Sequence, residues 1–232
     1  MALIRYLLYF LGIGFLTWLL SFLEISSPGS LQLQLYADAG DTLGTSEYSP
    51  VEIMQPGILI ICGLLYAWVA AYCPSQRPIA IAFGGMALAI TIREFDYFLD
   101  RLVADNFWQV LFGVTIALLI VYIYRNRRRF RIAWLRLWPS PGLTLLFAGA
   151  TINFAFVQFV GHEPLWMAIL GDNYQRIVKL AVEEFIELSG YFLWLAGTIE
   201  YTYQAKAIAL REPQAAAAKR RASRLPKPKG RF

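Results

Sequence analysis

Ionisable side chains interrupt two of the chain's long apolar stretches: Arg93-Glu94-Phe95-Asp96 closes one, and Glu183-Glu184-Phe185-Ile186-Glu187 opens another. Charge is costly in hydrocarbon, so residues of this kind pair with one another, face water or carry an ion. The carboxylates could accept protons or hold a cation. The guanidinium could neutralise them or grip an anionic headgroup. On a helix, Arg93, Asp96 and Asp100 follow i, i+3, i+7 spacing and share a face, so Arg93 and Asp96 are expected to pair within a turn. Arg176, Lys179, Glu183 and Glu187 follow one another at steps of three or four, and Gly190, Trp194 and Tyr201 roughly extend their stripe. Three glutamates within a turn and a half repel one another, so either one of them is protonated near neutrality or Arg93 across the bundle neutralises them. Both spans carry their charge at the outer end, which makes Arg93 against Glu187 or Glu183 the expected contact.

His162, the single histidine, stands beside Glu163. With Glu183, Glu187 and Asp96 it could complete a divalent-cation site of mixed nitrogen and oxygen ligands, although a lone loop histidine is more often a solvated side chain. No cofactor is expected. A three-histidine zinc site is impossible within one chain, and there is no Gly-x-Ser-x-Gly elbow, phosphate loop, His-Glu-x-x-His or dinucleotide fingerprint. Cys62 and Cys73 would lie about 16 Å apart along one helix, too far to bridge, and are expected to pack.

The elements that must position these groups are membrane helices. The 232 residues are 58% hydrophobic and 16% charged, against roughly 25% charged in soluble domains. Runs of about 18 or more apolar residues can cross a hydrocarbon core of about 30 Å. Six spans are predicted, at 3–23, 54–73, 79–99, 107–124, 142–160 and 179–203. The expected fold is therefore an all-α membrane protein, a six-transmembrane-helix bundle. From Ile79 to Ile92 there are only fourteen uncharged residues, a rise of about 21 Å, so the third span is expected to run on through Arg93 and Asp96. Arg5 and the apolar run after it also look like a signal peptide, but the run stays bulky through Leu23 with no small-residue cleavage site, so an uncleaved anchor is expected.

Lys and Arg fix the orientation, because short cytoplasmic loops retain them. With both termini inside, 17 of the 21 basic residues are cytoplasmic, and Arg93, Arg101, Arg176 and Lys179 fall outside. An N-in/C-in integral protein of a bacterial inner (plasma) membrane is the resulting expectation. The outer stretch from Glu24 to Gln55 carries five acidic residues and no basic one. Within it, Leu31-Gln32-Leu33-Gln34-Leu35-Tyr36 alternates like a half-buried strand, followed by turn residues from Asp38 to Asp41, so a short β-like outer loop is expected. Asp38 and Asp41 lack the ligand pattern of a calcium loop.

On the inner side, Arg127, Arg128, Arg129 and Arg131 interleave with Trp134 and Trp138. This composition suits a segment lying among anionic headgroups, at about 1 kcal/mol for each basic residue near the surface. Spans flank it closely, so membrane lipid rather than nucleic acid is the expected partner. Residues 204–232 read as a basic, disordered cytoplasmic tail. Asn153 and Gln158 are expected to hydrogen-bond neighbouring helices, and Gly84, Gly85 and Gly149 to allow close packing.

Three function classes remain. The first is a small non-catalytic accessory, assembly or scaffold component whose charged cluster at the outer ends of spans three and six fixes the bundle and could hold a membrane-protein partner. The second is a proton- or cation-linked transporter using Glu187, Glu183 and Asp96, although its path would have a polar gap at mid-membrane and Glu200 would stand alone near the inner end. The third is a lipid hydrolase or transferase at the outer leaflet, with His162 or a glutamate as base and Arg93 on a phosphate. Mutual geometry of Arg93, Glu94, Asp96, His162, Glu183 and Glu187 separates the three.

Overall fold

The computed structural model describes residues 2–31 and 49–224; the side chains of residue 2 and of 212–224 are outside that description. Every regular element among its described residues is a helix, with no strand. The alternating segment after Leu31, Asp38 and Asp41 lie outside the described residues.

Ten α-helices follow in order: α1 (Ala2–Ser26), α2 (Pro50–Tyr72), α3 (Arg77–Glu94), α4 (Asp96–Leu102), α5 (Phe107–Arg125), α6 (Arg127–Leu137), α7 (Pro141–Thr151), α8 (Val157–Val160), α9 (Glu163–Leu170) and α10 (Arg176–Arg224). A π-helical turn, Ile152–Phe156, joins α7 to α8. Four of these segments are long and apolar enough to cross a membrane: α1, α2, α5 and the run Pro141–Val160. The pair α3 and α4 makes a fifth if the two count as one broken span.

Local sequence sets the helix starts. Ser49 precedes Pro50, and its hydroxyl accepts a hydrogen bond from the Glu52 backbone N–H at 3.0 Å. Ser140 before Pro141 repeats the device with Leu143 at 3.2 Å. A serine cap satisfies an orphan donor while proline presets φ for the first turn. At the far end of α2, the Arg77 guanidinium donates to the Ala70 carbonyl at 2.7 Å and so ties off a terminal acceptor.

The third predicted span is not one straight helix. It breaks at Phe95, whose φ of −101° and ψ of 19° lie outside the helical well, and α4 leaves at 65° to α3. Asp96 opens the new helix and accepts a hydrogen bond from the Tyr97 backbone N–H at 2.6 Å. A carboxylate at a helix start is favoured by the exposed N–H groups there. Arg93 and Asp96 therefore sit on different helices rather than on one face, and the expected pair within the turn does not form.

The bundle is organised around α10. It packs along α7 and α2, while α2 packs on α3 and α3 on α5; α1 touches α10 sparsely. The contact between α7 and α10 is close because glycine stands on both sides. A Cβ on Gly142 would come 2.8 Å from the Tyr201 backbone N, and one on Gly149 would come 2.6 Å from the Gly190 carbonyl. Gly84 and Gly85 likewise admit Tyr66 and Leu119. Small residues let backbones approach where water offers no drive between helices. Asn153, in the π-helical turn, lies against Gly190 and is buried, but neither amide atom has a hydrogen-bond partner among the described residues. Gln158 is exposed. The hydrogen bonds expected of this pair are thus absent, since Asn153 meets a residue without a side chain. Cys62 and Cys73 are buried and unbridged. The helix α10 runs on past 203 to Arg224, through part of the segment expected to be disordered.

Candidate functional site

Where α3 ends, its last turn meets α10. The Arg93 guanidinium donates to Glu187 Oε1 at 2.7 Å, and to the neighbouring Glu94 Oε1 at 3.0 and 3.2 Å. The Tyr191 hydroxyl donates to Glu94 at 2.8 Å, and its oxygen lies 3.4 Å from Glu187 Oε1. One guanidinium and one phenol therefore hold two carboxylates. Glu187 is 7% exposed and Tyr191 1%. Tyr191 follows Glu187 by four residues, one turn along the same buried face of α10.

Glu184 turns from this pair towards α2, where the Gln55 side-chain amide donates to it at 2.7 Å. A neutral donor thus meets a carboxylate that no cation touches among the described residues. Glu183 points elsewhere: it pairs with Lys179 at 3.0 Å and packs against Gly161. It stays apart from Arg93 because α7 and α8 occupy that side of α10.

A cavity of about 630 Å³ opens beside the Arg93 cluster. Glu52, Glu94, Asp96, Glu184, Glu187 and Arg93 contribute its charged lining, and Phe95, Phe98 and Trp108 contribute aromatic walls. Asp96 is thus brought to the same cavity as Arg93 without touching it. His162 is exposed at the start of α9 and does not line this cavity. Among the described residues, no three His, Cys, Asp or Glu side chains converge to hold a metal ion. The mixed-ligand cation site assembled from His162, Glu183, Glu187 and Asp96 is therefore dispersed: His162 and Glu183 fall outside the cavity that Glu187 and Asp96 line.

A second charged cluster lies about four turns further along α10. Arg5 of α1 donates to both oxygens of Glu200, at 2.6 and 3.1 Å, and Tyr9 donates at 3.0 Å. Arg5 also stands 5.0 Å from the Tyr203 ring centroid. Glu200, expected to be alone, is therefore fully engaged. The signal was available, because Arg5 is the one basic residue in the first span and the proposed topology puts it at the same membrane face as Glu200.

Between the two clusters the buried face of α10 carries polar groups. Tyr66 of α2 and Thr198 share a hydrogen bond at 2.7 Å, and Tyr201 donates to the Gln76 carbonyl at 3.3 Å. Glu187, Tyr191, Trp194, Thr198 and Tyr201 thus form one stripe at alternating steps of four and three. That spacing is the seam a helix offers to packed neighbours.

The basic segment forms α6. Arg127, Arg128, Arg129 and Arg131 are exposed, while Phe130, Trp134 and Trp138 stack in sequence with centroids 6.1 and 6.2 Å apart. Aromatics at i, i+4 and i+8 gather on one side, and Trp134 meets Phe147 of α7 edge-on at 6.4 Å. The arginines are left to face outward.

The chain matches no family model, no curated protein and no solved structure.

Proposed function

We propose that the chain is a non-catalytic accessory or scaffold component of a bacterial inner membrane. In this reading it has six spans with both termini in the cytoplasm, and α10 supplies the sixth. The arginine-rich α6 and the basic C-terminal residues face anionic lipid. The charged cluster at the outer end closes the bundle.

One observation carries the reading: Arg93 joins the end of α3 to α10 through Glu187, with Tyr191 bracing the second carboxylate. Each acidic atom in that contact is held by a donor on a neighbouring turn or helix. Such a contact fixes the relation between two helices, and it spends Arg93 on its own protein rather than on a headgroup phosphate. The separation of His162 from the cavity deprives a hydrolytic reading of its only imidazole.

The test compares abundance with function. Arg93→Lys, Arg93→Ala and Glu187→Gln are each returned to a strain lacking the gene, and membrane abundance is measured beside the deletion phenotype. For a scaffold, phenotype follows abundance across the series. A variant present at normal abundance, with normal thermal unfolding, that nevertheless fails to complement would contradict the proposal. Reporter fusions after residues 40, 75, 104, 138 and 172 and at the C-terminus test the six-span topology independently.

A further inference from the structure

The cavity beside Arg93 has a lining that bundle closure does not require. Among the described residues, five carboxylates and a single guanidinium contribute to it. That guanidinium is already shared by Glu94 and Glu187, and among the described residues no cation touches Glu184 or Asp96, which face the same space. Phe95, Phe98 and Trp108 add aromatic surface to the same lining. The break at Phe95 creates this combination: it swings α4 away from α3 and brings Phe98 and Asp96 to the rim.

Ligand chemistry follows from the lining. Excess negative charge repels anions and draws cations. A dehydrated metal ion needs several converging ligands at short distance, which the described residues do not supply. The volume of about 630 Å³ falls in the range of small-molecule sites, roughly 300 to 1,000 Å³, and far exceeds what one ion fills. Aromatic faces attract organic cations, tryptophan most strongly, while carboxylates supply the counter-charge. We propose that this cavity binds a small organic ammonium ion, with its charge towards Glu184 and Asp96 and its apolar body against Trp108 and Phe98. This goes beyond the scaffold reading and does not depend on it.

Full-length protein in zwitterionic-lipid nanodiscs, titrated calorimetrically with tetraethylammonium and separately with butylammonium, tests the site. Saturable binding of at least one probe is expected. Glu184→Gln should weaken it about tenfold by removing the unopposed charge, and Trp108→Leu about fivefold by removing the aromatic face. Glu183→Gln, whose carboxylate lies outside the cavity, should leave it unchanged, and thermal unfolding of each variant establishes that the fold is retained. The proposal is overturned if neither probe binds, if Glu184→Gln and Trp108→Leu both bind like the parent, or if Glu183→Gln weakens binding as much as Glu184→Gln. Displacement of the probe by equimolar magnesium would also overturn it, in favour of an inorganic ion. None of these outcomes alters the relation between abundance and phenotype that tests the scaffold role.

Discussion

Two stretches along α10, the Glu200 end and the Glu187 end of its buried stripe, solve the same electrostatic problem differently. At Glu200 one carboxylate meets one guanidinium on both oxygens, with a tyrosine completing the set. At Glu187 one guanidinium serves two carboxylates, and further acidic groups open onto a cavity. The first cluster is balanced in charge, as a fastening should be. The second is unbalanced and hollow. Charge stoichiometry, more than the presence of buried charge, distinguishes the two ties.

Breaking the unbalanced end should have the largest effect. Arg93→Ala strips the cation from Glu94 and Glu187 together, and a loss of about 3 kcal/mol is expected, the lower edge for orphaning buried charge because Arg93 is partly open to solvent. Adding Glu187→Gln should recover part of that loss, since the second change removes one of the orphaned charges. Thermal unfolding in a single detergent measures both. Simple additivity of the two changes would show that the contact contributes little.

The helix between the ends provides the next comparison. Gly149→Ala places a methyl where the Gly190 carbonyl already stands, at a cost of about 1 to 3 kcal/mol. It should loosen both clusters equally, which hydrogen exchange at the α3 end and around Glu200 would report. Protection lost at one end alone would mean that α10 does not couple them.

At the balanced end the prediction is an asymmetry. Glu200 is 1% exposed while its partner's side chain is about one third open. Arg5→Met strands the carboxylate and should lower the unfolding midpoint by more than Glu200→Gln, which leaves an arginine able to reach water. Equal shifts would show that burial of Glu200 does not matter. The smallest effect is expected mid-stripe: Tyr66→Phe removes one hydrogen bond to Thr198, worth about 0.6 to 2 kcal/mol in a membrane, and should leave both ends intact.

The membrane character was legible because apolar run length is a direct physical requirement. Depth reasoning likewise pointed to a contact between Arg93 and Glu187 or Glu183, since an arginine near the end of one span needs a carboxylate at the same level on another. It left open which of the two, and Glu187 takes that place. The break at Phe95 was not legible. Its neighbours read equally well as a continuous helix, and the bend depends on how α4 packs and caps. Nor did periodicity distinguish Glu183 from Glu184. Both lie near the edge of the buried stripe, and only tertiary packing gives one carboxylate to Lys179 and the other to Gln55 of α2. Arg5 and Glu200 are 195 residues apart, beyond any local pattern. Only the topology could have joined them.

That separation has a consequence for biosynthesis. The bidentate contact joins the first helix of the chain to the last, so Arg5 enters the membrane long before its carboxylate exists. Until residue 200 has left the ribosome, α1 has no polar anchor on α10, and its Phe10, Phe15 and Trp18 stay exposed even in the finished fold, so the ion pair rather than apolar burial is what ties this helix down. The Arg5 to Glu200 pair therefore closes late in synthesis. It can form only once residue 200 of α10 has been made, and a product truncated before α10 would leave α1 untied.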